Sequence, residues 1–575
     1  MRLAAIFSDH MVLQREKEVR VFGEAKDGSR IRVEIDGTAA EDVAVGGRFL
    51  VRLPAHEAGG PYTMTVTETL MGGRAGTAGE QESETTGARS PEAEATQKGE
   101  TAALQKPEAD AVQRAEAATA DRRQGREPGD VREKVIRDVY YGEVWIDNGQ
   151  SNIEFELQNA DGGEQELATA DLPEVRYFKC IKTPVIDEAV LEQEAGQCWR
   201  SLQNGNFRDV SGVGYFFAKK LHGALQVPVG IIDCYQGGTS ISCWLSEERL
   251  ARYPEGRIYQ EEYAAAIEGQ SEEEYDRLLL DYNAMVERHL TLAAEAKAKN
   301  PDITPEELSA VAGDYPWPPP KGLRSAFRPS GVYHTMLERI APVAARGVLY
   351  YQGEEDSPKA SGYMVLLTEL IREFRELFEE KTLPVVILQL PMFIGRGCED
   401  LRDWAYLREA QEKAVLSTDH ALLVPLIDCG EYDNVHPTDK TTPGEHAARE
   451  VLEGIYGDRK DGARSMHVSE IQWKRGELVL HFTNTYGNVT IGENSLMDLR
   501  KERSVRDVRH VFGFEVRPAG QEEWIVPKVV IDGEEVRILA EQPVEGIRYG
   551  FFNYGKVNLY NAAGLPLCPF QRMKY

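Results

Sequence analysis

Between residues 140 and 462, apolar runs of strand length alternate with helical patterns, and few architectures satisfy that alternation. "VPVGIIDCY", "RGVLYYQG", "LPVVILQLP" and "HALLVPLID" are apolar nearly throughout. A strand that is apolar on both faces must be covered on both faces. The intervening "GYFFAKKLHGAL", "YMVLLTELIREFRELF" and "LREAQEKAVLS" carry the period of amphipathic helices that can cover it. The pattern predicts an α/β fold: a central, mostly parallel sheet in a three-layer α/β/α arrangement over residues 140–465.

In such a sheet the C-terminal strand ends share one edge, and ligands bind there. Four of these ends carry chemistry. "YYGEVWIDNGQSNIEFEL" places Gln150, Ser151 and Asn152 after the strand Val144-Trp145-Ile146. "GIIDCYQGGTSISCWLS" places Gly237 and Gly238 after the next, "GVLYYQGEEDS" places Gln352 and Glu354, and "LIDCGEYDNVHPTDK" places Asp428, Asp433 and His436. Each alone reads as an ordinary polar turn. Four in chain order on one sheet edge point to a site.

Acyl transfer needs these residue types. A serine hydroxyl attacks only when an imidazole takes its proton, and a carboxylate holds that imidazole in the right tautomer. The reading makes Ser151 the nucleophile and His436 the base. Asp433, three residues before it, is the orienting acid on spacing grounds, with Asp428 as the alternative. The oxyanion donors are the Ser151 N–H, a backbone N–H at Gly237 or Gly238, and the Gln352 amide. Gln150, Asn152 and Glu354 are candidate substrate contacts, Glu354 equally a brace for its loop.

The flanks read differently. Residues 1–139 begin with alternating strands ("EVRVFGEA", "RIRVEIDG", "RFLVRLPA", "YTMTVTET"), a β-sandwich-like domain interrupted at about 71–132 by a segment without aromatic residues that is expected to be disordered. Pattern resumes at "EKVIRDVYYGEVWI", which runs from one domain straight into the next. A charged, helix-like insertion at about 250–325 closes with "YPWPPPKG" and is expected over or beside the ligand edge. Residues 466–575 show strands again, a second all-β domain.

The formal net charge of −29 argues against nucleic acid and anionic lipid as partners. Seven scattered cysteines with no CxxC pair suggest reduced, mostly buried thiols. The N-terminus shows no secretion signal and no run reaches membrane-span length, so a cytoplasmic location is expected. No cofactor or metal is expected, on the reading that His334, His420, His436 and His446 lack a helical i, i+4 carboxylate of the kind zinc hydrolases use. The pentapeptide G-x-S-x-G is absent, because Ile153 stands where its second glycine would be.

Taken together, the four blocks resemble those of the SGNH (GDSL-like) hydrolases, and most closely the sialate O-acetylesterase family of carbohydrate esterases. "GEVWIDNGQSNIEF" is similar to that family's nucleophile block, "PVGIIDCYQGGTSISCW" to its glycine block, "GVLYYQGEEDS" to its Gln-Gly-Glu block and "DNVHP" to its His-Pro block. The ends "FSDHMVLQRE" and "VNLYNAAGLPLCPF" also resemble the family. The resemblance implies a serine esterase that removes O-acetyl groups from a carbohydrate, sialic acid in the first instance, through an acyl-enzyme on Ser151. Two departures stand out. Glu355-Asp356 replaces the usual Ser-Asn-like end of the third block, and the residue three before the histidine is not always acidic in the family. Acetylxylan or another acetylated glycan is the alternative substrate. A non-catalytic glycan-binding protein is the alternative of another class, and a lipase or thioesterase would need an apolar acyl channel that these polar loops do not suggest.

Overall fold

The computed structural model describes residues 1–70, 130–300, 303–492 and 510–574. The segment expected to be disordered therefore lies outside the described residues, except that the strand after it already begins at Val131.

That strand organises the molecule. β1 (Val131–Gly149) is nineteen residues long. Its first part pairs antiparallel with the N-terminal strand Gly59–Leu70, and its second part lies in the parallel sheet. The sheet also contains β2 (Leu172–Lys179), β3 (Arg200–Leu202), β4 (Val229–Tyr235), β5 (Gly347–Tyr351), β6 (Val385–Leu388) and β7 (Ala421–Val424), in the order β3-β2-β4-β1-β5-β6-β7. All neighbours are parallel except β3, which runs antiparallel to β2 at one edge. Because β1 continues into the N-terminal strands, the sheet is one mixed sheet of eleven strands rather than a separate parallel one.

Every residue of β4, β5 and β6 is buried, as an apolar strand covered on both faces requires. The helices that bear on the site include α1 (Ser151–Glu154), α2 (Gly212–Leu225), α3 (Glu272–Lys299), α4 (Ala360–Leu377), α5 (Asp403–Leu416) and α6 (Thr441–Gly454). α4 buries Leu366, Leu367, Leu370, Ile371 and Phe374 against the sheet. Burying one such side chain is worth about 1.5–3 kcal/mol. After residue 466 the described elements are strands, and their core (Leu478, Leu480, Val516, Ile538, Ile547, Tyr549) also takes in Met392 and Ile427 of the central region.

The insertion is helical, with α3 as its longest element. The Tyr263 hydroxyl closes it on itself by donating to the Gly322 carbonyl at 2.9 Å, and the Tyr259 hydroxyl ties it to the loop after β5 by donating to Asp356 Oδ1 at 2.5 Å. Among the described residues no helix is long and apolar enough to cross a membrane.

The histidine reading needs correcting. Glu338 does stand four residues after His334, with Nδ1 2.7 Å from its Oε2, while Nε2 lies 3.0 Å from Glu247. Glu450 likewise stands four after His446 but is engaged by Arg464 and Ser465. These ion pairs are structural.

Candidate active site

The tip of β1 is made by contacts that only glycine permits. Gly149 has φ +132°, and a Cβ on it would lie 2.1 Å from the Tyr351 carbonyl at the end of β5. The Gln150 N–H donates to that carbonyl at 3.1 Å, and the Gln236 N–H donates to the Gly149 carbonyl at 3.1 Å. The ends of β4, β1 and β5 are thus fastened side by side, and Ser151 opens α1 at their junction. A Cβ on Gly237 would lie 3.5 Å from Ser151 Cβ, which places the glycine pair directly beside the serine.

Ser151, Gly237, Gly238, Glu354, Gln150 and His436 all line one cleft of about 1350 Å³. The loops that carry them follow β1, β4, β5 and β7. The strand-end reasoning of the sequence therefore brings Ser151 and His436 to the same cavity. Burial, with help from the Lys440 charge, holds the His436 imidazole down at about 4, so it is neutral and able to accept a proton across the ordinary pH range.

Asp433 does not orient that ring. Its carboxylate is taken by Arg396, with Nε 2.6 Å from Oδ2, and its backbone turns away through φ +51°. Asp428 is not in the cleft lining either. It sits against the Cys429 thiol and the Tyr560 hydroxyl. Among the described residues the His436 ring makes no hydrogen bond, and its backbone N–H is held by Asn434 Oδ1 at 3.1 Å.

Gln352 is also corrected. It is fully buried, and its Nε2 is 3.0 Å from Gln150 Oε1, 3.1 Å from the Thr239 carbonyl and 2.5 Å from Asp356 Oδ2. Its Oε1 accepts from the Tyr350 and Tyr363 hydroxyls. Nothing is left for an oxyanion; Gln352 braces the loops instead. Gln150, by contrast, lines the cleft, its Oε1 fixed by Gln352 and by the Gly353 N–H.

Asn152 does not reach substrate space. Its Nδ2 donates to Glu354 Oε1 at 2.6 Å and to the Val435 carbonyl at 3.0 Å, and its Oδ1 accepts from the buried Lys440 ammonium at 2.7 Å. One side chain thus ties the serine block, the Glu354 block and the residue before His436 together. Glu354 Oε2 is buried without a partner, and burial pushes the carboxyl up from its usual range.

The glycine donors differ from each other. The Gly237 N–H is occupied by the Glu154 carboxylate, which also meets Lys182. Gly238, at φ +73°, has no acceptor on its N–H among the described residues. Glu154, Lys440 and the insertion's Tyr315 and Trp317 were not among the residues expected at the site. The signal for Lys440 was its position four after His436; for the aromatics it was the run "YPWPPP".

Two donor sets could hold a metal ion. Asp428, Cys429 and His446 form one, and Glu412, His467 and Cys568 the other, with ligand atoms in each within 4.8 Å of one another. Neither contains a residue of the cleft lining.

Residues 317–452 match a family model described as a carbohydrate esterase, sialic acid-specific acetylesterase. The chain is 23% identical to the sialate O-acetylesterase of Mus musculus over 329 residues, 53% of this chain and 55% of that protein. It is also 23% identical to that of Homo sapiens over 334 residues, 53% and 52% of the two chains. It thus spans about half the length of the curated relatives it matches. In fold it is similar to a carbohydrate acetylesterase from Xanthomonas citri, with a TM-score of 0.66 and 24% identity over all of both chains. The resemblance to the sialate O-acetylesterase family of carbohydrate esterases is thus supported by a family model over residues 317–452 and by curated relatives over about half of the chain, and the solved structure shows the likeness of fold.

Proposed function

We propose that the chain is a carbohydrate O-acetylesterase that works through an acyl-enzyme on Ser151. The observation that carries the reading is the shared cleft: a serine at the start of a helix, a neutral, half-buried histidine and a glycine pair, from separate loops, line one cavity.

His436 takes the Ser151 proton as the oxygen attacks the acetyl carbonyl. The charge that develops falls to the Ser151 and Gly238 N–H groups, and to Gly237 once Glu154 leaves it. Each such donor is worth about 3 kcal/mol in the transition state. Collapse expels the sugar oxygen, which takes the proton from His436 and leaves as the hydroxyl; water then gives its proton to His436, attacks the acetyl carbon, and releases acetate as Ser151 recovers that proton. The carboxylate assigned to support His436 is Glu354 rather than Asp433, acting through Asn152 and not by direct contact with the ring. Its free Oε2 is buried in the cleft wall, and Asn152 ties its Oε1 to the Val435 carbonyl beside the histidine. No hydrogen bond joins the Ser151 hydroxyl to the His436 ring among the described residues, and contacts of this kind tighten in the Michaelis complex.

The test is acetate release from acetylated oligosaccharides and p-nitrophenyl acetate by the parent and by Ser151→Ala, together with stoichiometric fluorophosphonate labelling. Activity and labelling that survive in Ser151→Ala would refute the reading.

A further inference from the structure

The helical insertion supplies one wall of the cleft, and that wall is aromatic. Tyr315 and Trp317 are about half exposed, at 48% and 46%. With Tyr282 and Phe327 they line the cavity that holds Ser151. Their positions are built. The Tyr282 hydroxyl donates to the Pro316 carbonyl at 3.0 Å, Tyr315 packs edge-on against His289, and Trp317 meets Phe327 edge-to-face at 5.8 Å. Trp317 lies directly on the glycine pair, since a Cβ on Gly238 would come 1.9 Å from its indole. The series Ser151, Gly237, Gly238, Trp317 is therefore continuous contact. An indole two glycines away from the nucleophile is where the ring bearing the scissile acetyl would lie. Sugar rings present C–H faces that pack on aromatic planes and hydroxyls that remain in water.

The charge on the lining is one-sided. Glu154, Glu156, Glu354, Glu355, Glu399 and Asp403 line the cleft, and no lysine or arginine among the described residues does. Of the cations beside the lining, Lys182 pairs with Glu154, Lys179 with Glu156 and Asp209, and Arg396 with Asp433, while Lys440 donates to Asn152 and Lys321 and Lys359 act on Glu355 from behind the lining. A carboxylated substrate would find no lysine or arginine on the lining to meet it and the carboxylates of Glu399 and Asp403 beside it, and like-charge juxtaposition opposes binding.

We infer that the cleft takes an uncharged acetylated sugar stacked on the Trp317 indole, and that the insertion thereby sets specificity against carboxylated sugars. This rests on the esterase reading above and names its substrate class.

The experiment uses the full chain and three substrates: an acetylated xylo-oligosaccharide, an O-acetylated sialic acid, and ethyl acetate, which offers no ring. The expected kcat/KM is at least about tenfold higher on the neutral oligosaccharide than on the sialic acid at about 20 mM salt. Raising salt to about 300 mM should lift the sialic acid rate and leave the neutral one in place, because screening removes the repulsion. In Trp317→Ala the ratio of oligosaccharide to ethyl acetate kcat/KM should fall at least about tenfold, chiefly through KM. Equal or better use of the sialic acid at low salt, or an unchanged ratio in Trp317→Ala, would overturn the inference. Binding to Ser151→Ala, read by titration calorimetry, separates it from the esterase reading. Saturable binding of the neutral oligosaccharide that adding Trp317→Ala weakens at least about tenfold supports the wall even if no ester is cleaved, and binding that is unchanged on adding Trp317→Ala counts against it.

Discussion

The Asn152 amide nitrogen lies 2.6 Å from Glu354 Oε1 and 3.0 Å from the Val435 carbonyl, so a residue following the serine holds both a carboxylate and the backbone leading to His436. We expect Glu354→Gln, which keeps shape and removes charge, to lower kcat on small acetyl esters by about 10²–10⁴-fold, the range typical for loss of a general-base assembly. Asp433→Asn should cost less than about threefold, because it gives up only the Arg396 ion pair, and exposed pairs are worth little. Steady-state kinetics on both variants decides the matter, and the opposite ranking would return the role to Asp433.

Glu154 poses a separate question, since its carboxylate holds the Gly237 N–H that an oxyanion would use. A hydrogen bond to a charged acceptor is worth about 1.5–3 kcal/mol, and it must be broken before that donor can serve the transition state. Glu154→Ala should therefore raise kcat/KM on ethyl acetate, by about three- to tenfold. A fall in rate would show that the carboxylate itself takes part in the reaction.

The edge of the sheet was legible because its logic is local: four apolar strands, each ending in glycine and polar residues, locate a rim without knowledge of the loops. The loops themselves were not legible. Asp433 has the right spacing to His436, but a positive φ turns it toward Arg396, and only three-dimensional packing reveals that partner. Gln352 has the right chemistry for an oxyanion, yet Tyr350, Tyr363, Gln150 and Asp356 surround it, and these contacts cross from β5 to α4 and to the serine block. Trp317 sits in an insertion whose sequence says aromatic and proline-rich but not what it faces. The continuity of β1 through both regions was visible as an unbroken pattern; that it fuses the N-terminal strands into the same sheet was not.

His436 makes the pH dependence unusual. Its pKa is lowered to about 4, first by burial and then by the Lys440 charge, against an ordinary value of about 6.5. Since only the neutral imidazole accepts the serine proton, kcat/KM should hold as pH falls below 6 and drop only near 4. Lys440→Met removes one of the two causes, so the acid limb should move to higher pH even as the loss of Asn152's partner lowers the plateau. A limb that stays in place in Lys440→Met would exclude Lys440 as a cause.

Beneath the serine, Asp147 and Asp233 are both buried. Burial first, and then the neighbouring Asp233 charge, pushes Asp147 well above the usual carboxylate range; burial raises Asp233 to about 7. The folded chain thus keeps protons that the unfolded chain releases above about 4. Stability contributed by this pair is greatest at low pH and declines as pH rises from about 4 through 7. Asp147→Asn removes one ionisation, so its Tm should fall less than the parent's between pH 5 and 8. Parallel Tm curves would mean that the pair does not titrate in this window.

Arg408 on α5 is fully buried, with no carboxylate at hydrogen-bond distance among the described residues. Its guanidinium donates to the Pro391 carbonyl at 3.2 Å, the Gly550 carbonyl at 3.3 Å and the Phe552 carbonyl, and burial draws its pKa down to about 10. The first carbonyl belongs to the central region and the other two to the C-terminal strands, so one side chain joins them. It also sets the cleft: Asn553, next to Phe552, donates from Nδ2 to Asp403 at 2.6 Å and accepts from the Trp404 N–H at 3.1 Å, and all three line the cavity. Arg408→Met fills similar volume but leaves three buried carbonyls unpaired, each costing about 1–3 kcal/mol. Calorimetry should show the C-terminal strands melting ahead of the rest, and KM for an acetylated oligosaccharide should rise more than kcat falls, because the wall carrying Trp404 and Asn553 loosens while Ser151 and His436 stay on their own loops. A single transition at the parent's Tm would mean that the carbonyls find other donors and that Arg408 is not the tie.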